Sequence, residues 1–325
     1  GCGLMARIYS WADAGSPGRS LTGNLQNKLR QILRACLVDG YGSKPAAGWS
    51  MVHEHANGFS MRNGPASGIV NIVSGVTGMS AGACMLFLAE SVTDTSAAVI
   101  QGVNVRSGNF VAGSNESGTR HLFGVNTSFT TYLASLKWTV VADERTFILS
   151  WSDNYMGNPE DGFALYVGEC INSLGLSGAA TFIAIGGVVG ALSASVTLSR
   201  PLPGGTTAHH DQGTGILGSA LPTGYPFNTN TTYLATSLSG SIPDKLNLLQ
   251  AKVWGGGSNG VTGWLRGVVY DDLLLRYRYD LAPRFAGLPN SLSSLQEIVD
   301  MGELKLVVVG ALYGSFYLTD DPRYW

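Results

Sequence analysis

From Pro45 onward, apolar residues come in short β-branched or aromatic runs that end at glycine, asparagine, serine or aspartate. Trp49–His53, Gly68–Val73, Met85–Ala89, Ala97–Val105, His121–Phe123 and Phe163–Val167 are such runs. Leu136–Val141 turns through Ala142-Asp143-Glu144-Arg145 into Thr146–Trp151, which reads as a hairpin. Runs this short, broken at sheet-like intervals, suit strands and leave no room for helices. The pattern predicts a mainly β, antiparallel, β-sandwich-like fold, with α+β as the fallback. Towards the C-terminus, Leu246–Trp254 reads as a strand or short helix and Thr262–Tyr279 as a dense apolar and aromatic stretch. Ser291–Met301 reads as a short helix, and Leu304–Leu318 as one or two buried strands.

The first 45 residues read differently. Met5–Trp11 is a short strand candidate, and Pro17-Gly18 punctuates a turn. Leu21, Leu25, Leu29, Ile32, Leu33, Cys36 and Leu37 then recur at three- and four-residue spacing, which predicts one amphipathic helix. Ser20 or Thr22 is placed to cap it and Gly40 or Gly42 to stop it. Lys28, Arg30 and Arg34 fall on its other side. The expected organisation is an N-terminal arm and helix over 1–45 and a β-rich body over 46–325. A charge-poor stretch from about 200 to 245 reads as a long loop or insertion.

Charge is scarce. Lys and Arg total 20 and Asp and Glu 22, together 13% of the chain, against a usual share of roughly 25%. Glycine supplies 44 of 325 residues, about twice its usual share of roughly 7%. The glycines have no three-residue period, which excludes collagen, and 45% hydrophobic content excludes a disordered chain. A net charge of −2 argues against bulk electrostatic binding of nucleic acid. So few charges hint that other chains cover much of the surface. Cys170–Ser199 and Pro201–Pro243, where charge is poorest, are the segments expected to lie against neighbours.

Ala179–Leu198 is long enough for a membrane helix but carries Gly186-Gly187 and several Ser and Thr. Two buried strands, Thr181–Ile185 and Ser195–Ser199, explain it as well. No membrane insertion is expected. Cys2, Cys36, Cys84 and Cys170 form no CxxC pair, and the opening residues lack a secretory pattern. Synthesis in a reducing cytoplasm is expected.

Each chemical motif has a plainer explanation. Gly78-Met79-Ser80-Ala81-Gly82 matches the nucleophile elbow, and Asp143 or Asp153 followed by His209 or His210 completes a hydrolase order. However, the preceding strand ends five residues early, and no strand–helix alternation follows to build a parallel sheet. Ser80 is therefore a weak catalytic candidate, and no enzyme is expected. Gly255–Gly260 formally satisfies GxGxxG, yet no helix starts behind it to meet a pyrophosphate. His53 and His55 share one side of a strand and are weak metal candidates without a third ligand at zinc spacing. No cofactor is expected.

Two longer segments carry a resemblance. One is Ile8-Tyr9-Ser10-Trp11-Ala12-Asp13-Ala14-Gly15-Ser16-Pro17; the other, after the helix, is Leu37-Val38-Asp39-Gly40-Tyr41-Gly42-Ser43-Lys44-Pro45-Ala46-Ala47-Gly48-Trp49. Together they resemble the opening of a group of virion structural proteins of tailed bacteriophages, with a "TDAGAP"-like stretch before a helix ending in "VNGYGSKAAAGW". Val141–Phe147 and Trp264-Leu265-Arg266-Gly267 look similar too, in the same order. Ser16, Asp39 and Pro45 depart from the pattern. The resemblance implies a location, the virion assembled in the host cytoplasm, and transfers no catalytic residue. It implies other virion proteins and copies of the chain as partners and does not decide between head, neck and tail; head decoration or a neck/collar role is expected slightly ahead of tail or baseplate. Leu25, Leu29, Trp49, Tyr225, Phe227, Trp264, Tyr277, Tyr279 and Trp325 are the expected assembly contacts. A receptor- or glycan-binding tail protein and a serine hydrolase through Ser80 are the alternatives.

Overall fold

The computed structural model describes residues 5–74, 84–94, 101–103, 105–107, 137–152, 162–172, 178–188, 194–197, 248–254, 261–271, 298–300, 302, 304–309 and 316–325. These form mostly antiparallel sheets with one α-helix.

A six-stranded middle sheet runs in the order β1 (Arg7–Ser10), β9 (Lys137–Ala142), β10 (Thr146–Ser152), β11 (Gly162–Glu169), β13 (Phe182–Val188) and β14 (Ala194–Thr197). A five-stranded sheet comprises β2 (Ser50–His55), β3 (Gly58–Arg62), β4 (Ile69–Val73), β5 (Met85–Ala89) and β8 (Arg106–Ser107). A ribbon pairs β6 (Ser91–Asp94) with β7 (Gln101–Val103). The C-terminal sheet comprises β12 (Ile171–Asn172), β16 (Val261–Asp271), β19 (Phe316–Leu318), β18 (Lys305–Val309) and β17 (Ile298–Asp300), and β15 (Leu248–Trp254) also pairs with β16.

Register explains why the middle sheet is apolar on both faces. Tyr9, Val140, Leu149 and Leu165 lie opposite one another across four strands, as do Ile8, Val141, Ile148 and Tyr166 one residue along. Side chains alternate along a strand, so these two rows point to opposite faces. The first row joins a core with Trp138, Phe147, Phe182, residues of the five-stranded sheet and the helix. The second joins a smaller core with Leu265, Val268, Val307 and Leu318 of the C-terminal sheet. A strand covered on both faces reads as a nearly continuous apolar run.

That double cover corrects the expectation for Cys170 and 181–184, the part of Cys170–Ser199 that is buried among the described residues. Cys170, Thr181, Phe182, Ile183 and Ala184 are buried by the chain itself, because the middle sheet needs apolar residues on both faces. The segment forms two paired strands, β13 and β14, and among the described residues no helix is long and apolar enough to cross a membrane.

Helix α1 spans Leu25–Arg34 and continues as a wider π turn over Ala35–Asp39. Asn24 caps it, not Ser20 or Thr22: its side chain accepts the Asn27 N–H at 2.9 Å. Gly40 ends it at φ +74°, where a Cβ would sit 2.8 Å from the Lys44 carbonyl oxygen. Leu25, Leu29, Ile32 and Leu33 face the larger core. Lys28, expected on the polar side, is buried, and burial lowers its pKa. Arg30 and Arg34 reach Glu54 at 3.6 and 2.9 Å, laying the helix along β2.

Two further differences are local. β3 was not anticipated, because Gly58-Phe59-Ser60-Met61-Arg62 mixes small, polar and apolar residues. Ile298–Asp300, the end of the expected helix Ser291–Met301, is strand, since it pairs with Lys305–Val307. Leu248–Trp254, expected as a strand or short helix, is the strand, paired along β16. Both gain a partner that local periodicity does not reveal.

Candidate functional site

The described polar side chains concentrate at two junctions. At the first, Asp13 Oδ2 accepts from the Lys44 ammonium at 2.6 Å, the Tyr41 hydroxyl at 2.8 Å and the Ser10 N–H at 2.7 Å. Lys44 also donates to the Ile8 carbonyl at 2.6 Å, and the Tyr9 hydroxyl to the Pro45 carbonyl at 2.8 Å. β1 is an edge strand, and these bonds engage backbone groups it would otherwise offer to another chain. Burial pushes Tyr41 up, with the Cys36 thiol and Asp13 adding to it, and pushes Tyr9 up to about 12. Phenols raised this way hold their protons and serve as donors.

The second junction lies where the three sheets meet. Asp143 opens the β9–β10 turn, and its Oδ1 accepts the N–H groups of Arg145 at 2.9 Å and Thr146 at 2.8 Å. Its Oδ2 pairs with Arg266 of β16, and its backbone carbonyl accepts the Trp49 indole N–H at 2.9 Å. Burial pushes the Asp143 carboxyl up, opposed by the Arg266 guanidinium and the two N–H donors. Glu169, at the end of β11, pairs with Arg145 at 2.8 Å and accepts from the Ser67 hydroxyl and the Asn63 amide. The Tyr166 hydroxyl donates to the Glu169 carbonyl at 2.7 Å and receives the Arg266 N–H at 3.3 Å. Trp325 closes this side: its indole N–H reaches the Thr319 carbonyl at 2.6 Å and Arg266 lies over its ring at 5.7 Å. Gly267, at φ +66°, allows that approach, since a Cβ there would run into the Trp325 ring.

Chemically, these junctions bind layers to one another. Asp143 and Glu169 are almost wholly enclosed, with their carboxylate oxygens committed to partners, so neither is presented to a substrate. Burial pushes the Cys170 thiol up to about 12, and Cys36 and Cys84 also well up, so none is an activated nucleophile.

The expected site residues are placed as follows. Ser80, Asp153, His209, His210, Tyr225, Phe227, Tyr277, Tyr279 and the Gly255–Gly260 run lie outside the described residues, as does the whole expected loop at 200–245. Asp143, offered as a hydrolase acid, is held by Arg266. Leu25, Leu29 and Trp49 are enclosed in the chain's own larger core, which leaves their side chains no surface for another chain. Trp264 is half-buried on β16, and Trp325 packs half-buried on the smaller core. Among the described residues the exposed large apolar side chains are Met5, Val103 and Ile298, none of them aromatic. His53 and His55 stack with ring centroids 6.2 Å apart, and no group of three or more His, Cys, Asp or Glu suited to a metal occurs among the described residues.

Sequence reasoning missed Asn63, Ser67, Tyr166 and Glu169. Glu169 had a signal: it is the one charged residue in Gly162–Ile171, and a lone acid in an apolar strand needs a partner. Asn63 and Ser67 sit in a loop with no such mark.

The chain matches no protein family, no curated protein and no solved structure in the three comparisons.

Proposed function

We propose that the chain is a non-enzymatic structural component of a tailed-phage virion, packing on other virion proteins and on copies of itself. One observation carries this reading. The four pieces that resemble phage virion proteins, far apart in sequence, meet as braces of one scaffold. Asp13 of the first piece holds Tyr41 and Lys44 of the second. Trp49, which ends the second, holds the Asp143 carbonyl of the third, and Asp143 holds Arg266 of the fourth. Residues used this way specify a rigid shape and perform no reaction, which fits an assembly part. The fold is β-sandwich-like, with the N-terminal helix laid into the larger core. Head decoration or a neck/collar position is preferred to tail or baseplate.

Mass spectrometry of purified particles of the encoding phage tests this. The expected result is the chain in many copies per particle, and its absence from particles overturns the proposal.

A further inference from the structure

We propose that His53 and His55 form a two-imidazole site for a borderline divalent transition ion, tightest for copper(II) and weaker for nickel(II) and zinc(II). The order is the general one for nitrogen ligands.

The backbone of β2 sets up the pair. Met51 pairs with Met61 and packs on the larger core, whereas His53 pairs with Ser60 and His55 with Gly58. Val52 is the extra residue of a bulge between them. A bulge re-aims the side chains that follow it. Without it, both histidines would share the core side with Met51. With it, they stand on the opposite face while Glu54 turns back to Arg30 and Arg34. Among the described residues β2 is also the edge of its sheet, with a strand on one flank only.

The rings are nearly parallel, 14° apart, with centroids separated by 6.2 Å, and both residues are half-buried. Strand side chains two residues apart stand side by side, and rotation about their bonds lets two ring nitrogens converge on one ion at about 2.0–2.1 Å each. Nε2 of His55 is withdrawn from solvent and has no hydrogen-bond partner among the described residues. A buried polar atom left unpaired is costly and calls for a cause. Turning that nitrogen towards His53 and the open side of β2 gives it an ion as the missing partner, with water on the ion's solvent side.

The test is calorimetric titration of the full chain with copper(II) at pH 7.5, alongside electron paramagnetic resonance. The wild type should bind one ion tightly with two-nitrogen coupling. Because the two imidazoles act as a linked pair, His53→Ala or His55→Ala should each weaken binding about 100-fold. His121→Ala and the His209→Ala/His210→Ala pair should leave the affinity unchanged. Circular dichroism checks that the variants fold. Independently of any variant, nickel(II) added to wild-type chain should broaden the ring-proton signals of His53 and His55 first. Retained affinity in the His53→Ala/His55→Ala double variant, or first broadening at another histidine, overturns the site.

Discussion

On one face of the middle sheet, Trp138, Phe147 and Leu149 meet helix α1 and the five-stranded sheet in a broad apolar core. On the other, among the described residues, Val141, Ile148 and Tyr166 meet a smaller set of apolar residues of the C-terminal sheet. The smaller face adds a buried ion pair, Asp143 with Arg266, and the Trp325 ring beside it. The larger face holds chiefly by area, because burying apolar surface is favourable and non-directional, with the bonds of Trp49 to Asp143 and of Ser67 to Glu169 added at its margin. The smaller face has less area and adds directional bonds. Such bonds fix where the C-terminal sheet sits, and they make its attachment depend on single residues.

Phe147→Ala should test the larger face and show the largest effect. Its ring is fully enclosed and lies edge-on to Trp49 at 5.2 Å. Truncation should cost about 4 kcal/mol in denaturant unfolding, and a loss below about 1 kcal/mol would mean the core there is loosely packed.

Arg266→Ala comes next, because it strands the Asp143 carboxylate in a buried place. The expected loss is about 3 kcal/mol at neutral pH. The pH response gives a second readout. Asp143 already has a raised pKa, and removing its cation raises it further. A carboxyl whose folded pKa lies above its unfolded value adds stability below the unfolded pKa and loses it as pH rises through the folded one. The variant should therefore recover stability relative to wild type as pH falls from neutral towards the carboxylate range. A loss that stays constant across that range would show that Asp143 does not feel the missing charge.

Much of the fold was legible because its strands are short, apolar and sharply punctuated. The hairpin through Asp143 and the strands at Ile69–Val73 and Met85–Ala89 match the expected runs closely. Strand β3 was not legible, since Gly58 and Ser60 are buried by contact with neighbours rather than by their own hydrophobicity. The junctions were legible only as separate pieces. Nothing local tells that Asp143 finds Arg266, 123 residues away, or that Glu169 finds Ser67 across 102. The low charge was read as a sign of neighbouring chains, yet in Cys170–Ala184 the described residues owe it to a sheet covered on both sides.

Trp325→Ala should cost about 2 kcal/mol, through the lost ring contact with Arg266 and the half-buried surface. Thermal unfolding measures it, and no change would mean the ring is not part of the smaller core. Arg34→Ala, which removes exposed pairs with Asp39 and Glu54, should cost about 0.5 kcal/mol. A cost as large as that of Arg266→Ala would erase the distinction between enclosed and exposed pairs.

Native-state hydrogen exchange on Arg266→Ala compares the two faces within one molecule. Amides of β16, β18 and β19 should lose protection, while those of β3, β4 and helix α1 keep theirs. An equal loss across all of these elements, or none in the C-terminal sheet, would contradict a smaller face held by its ion pair.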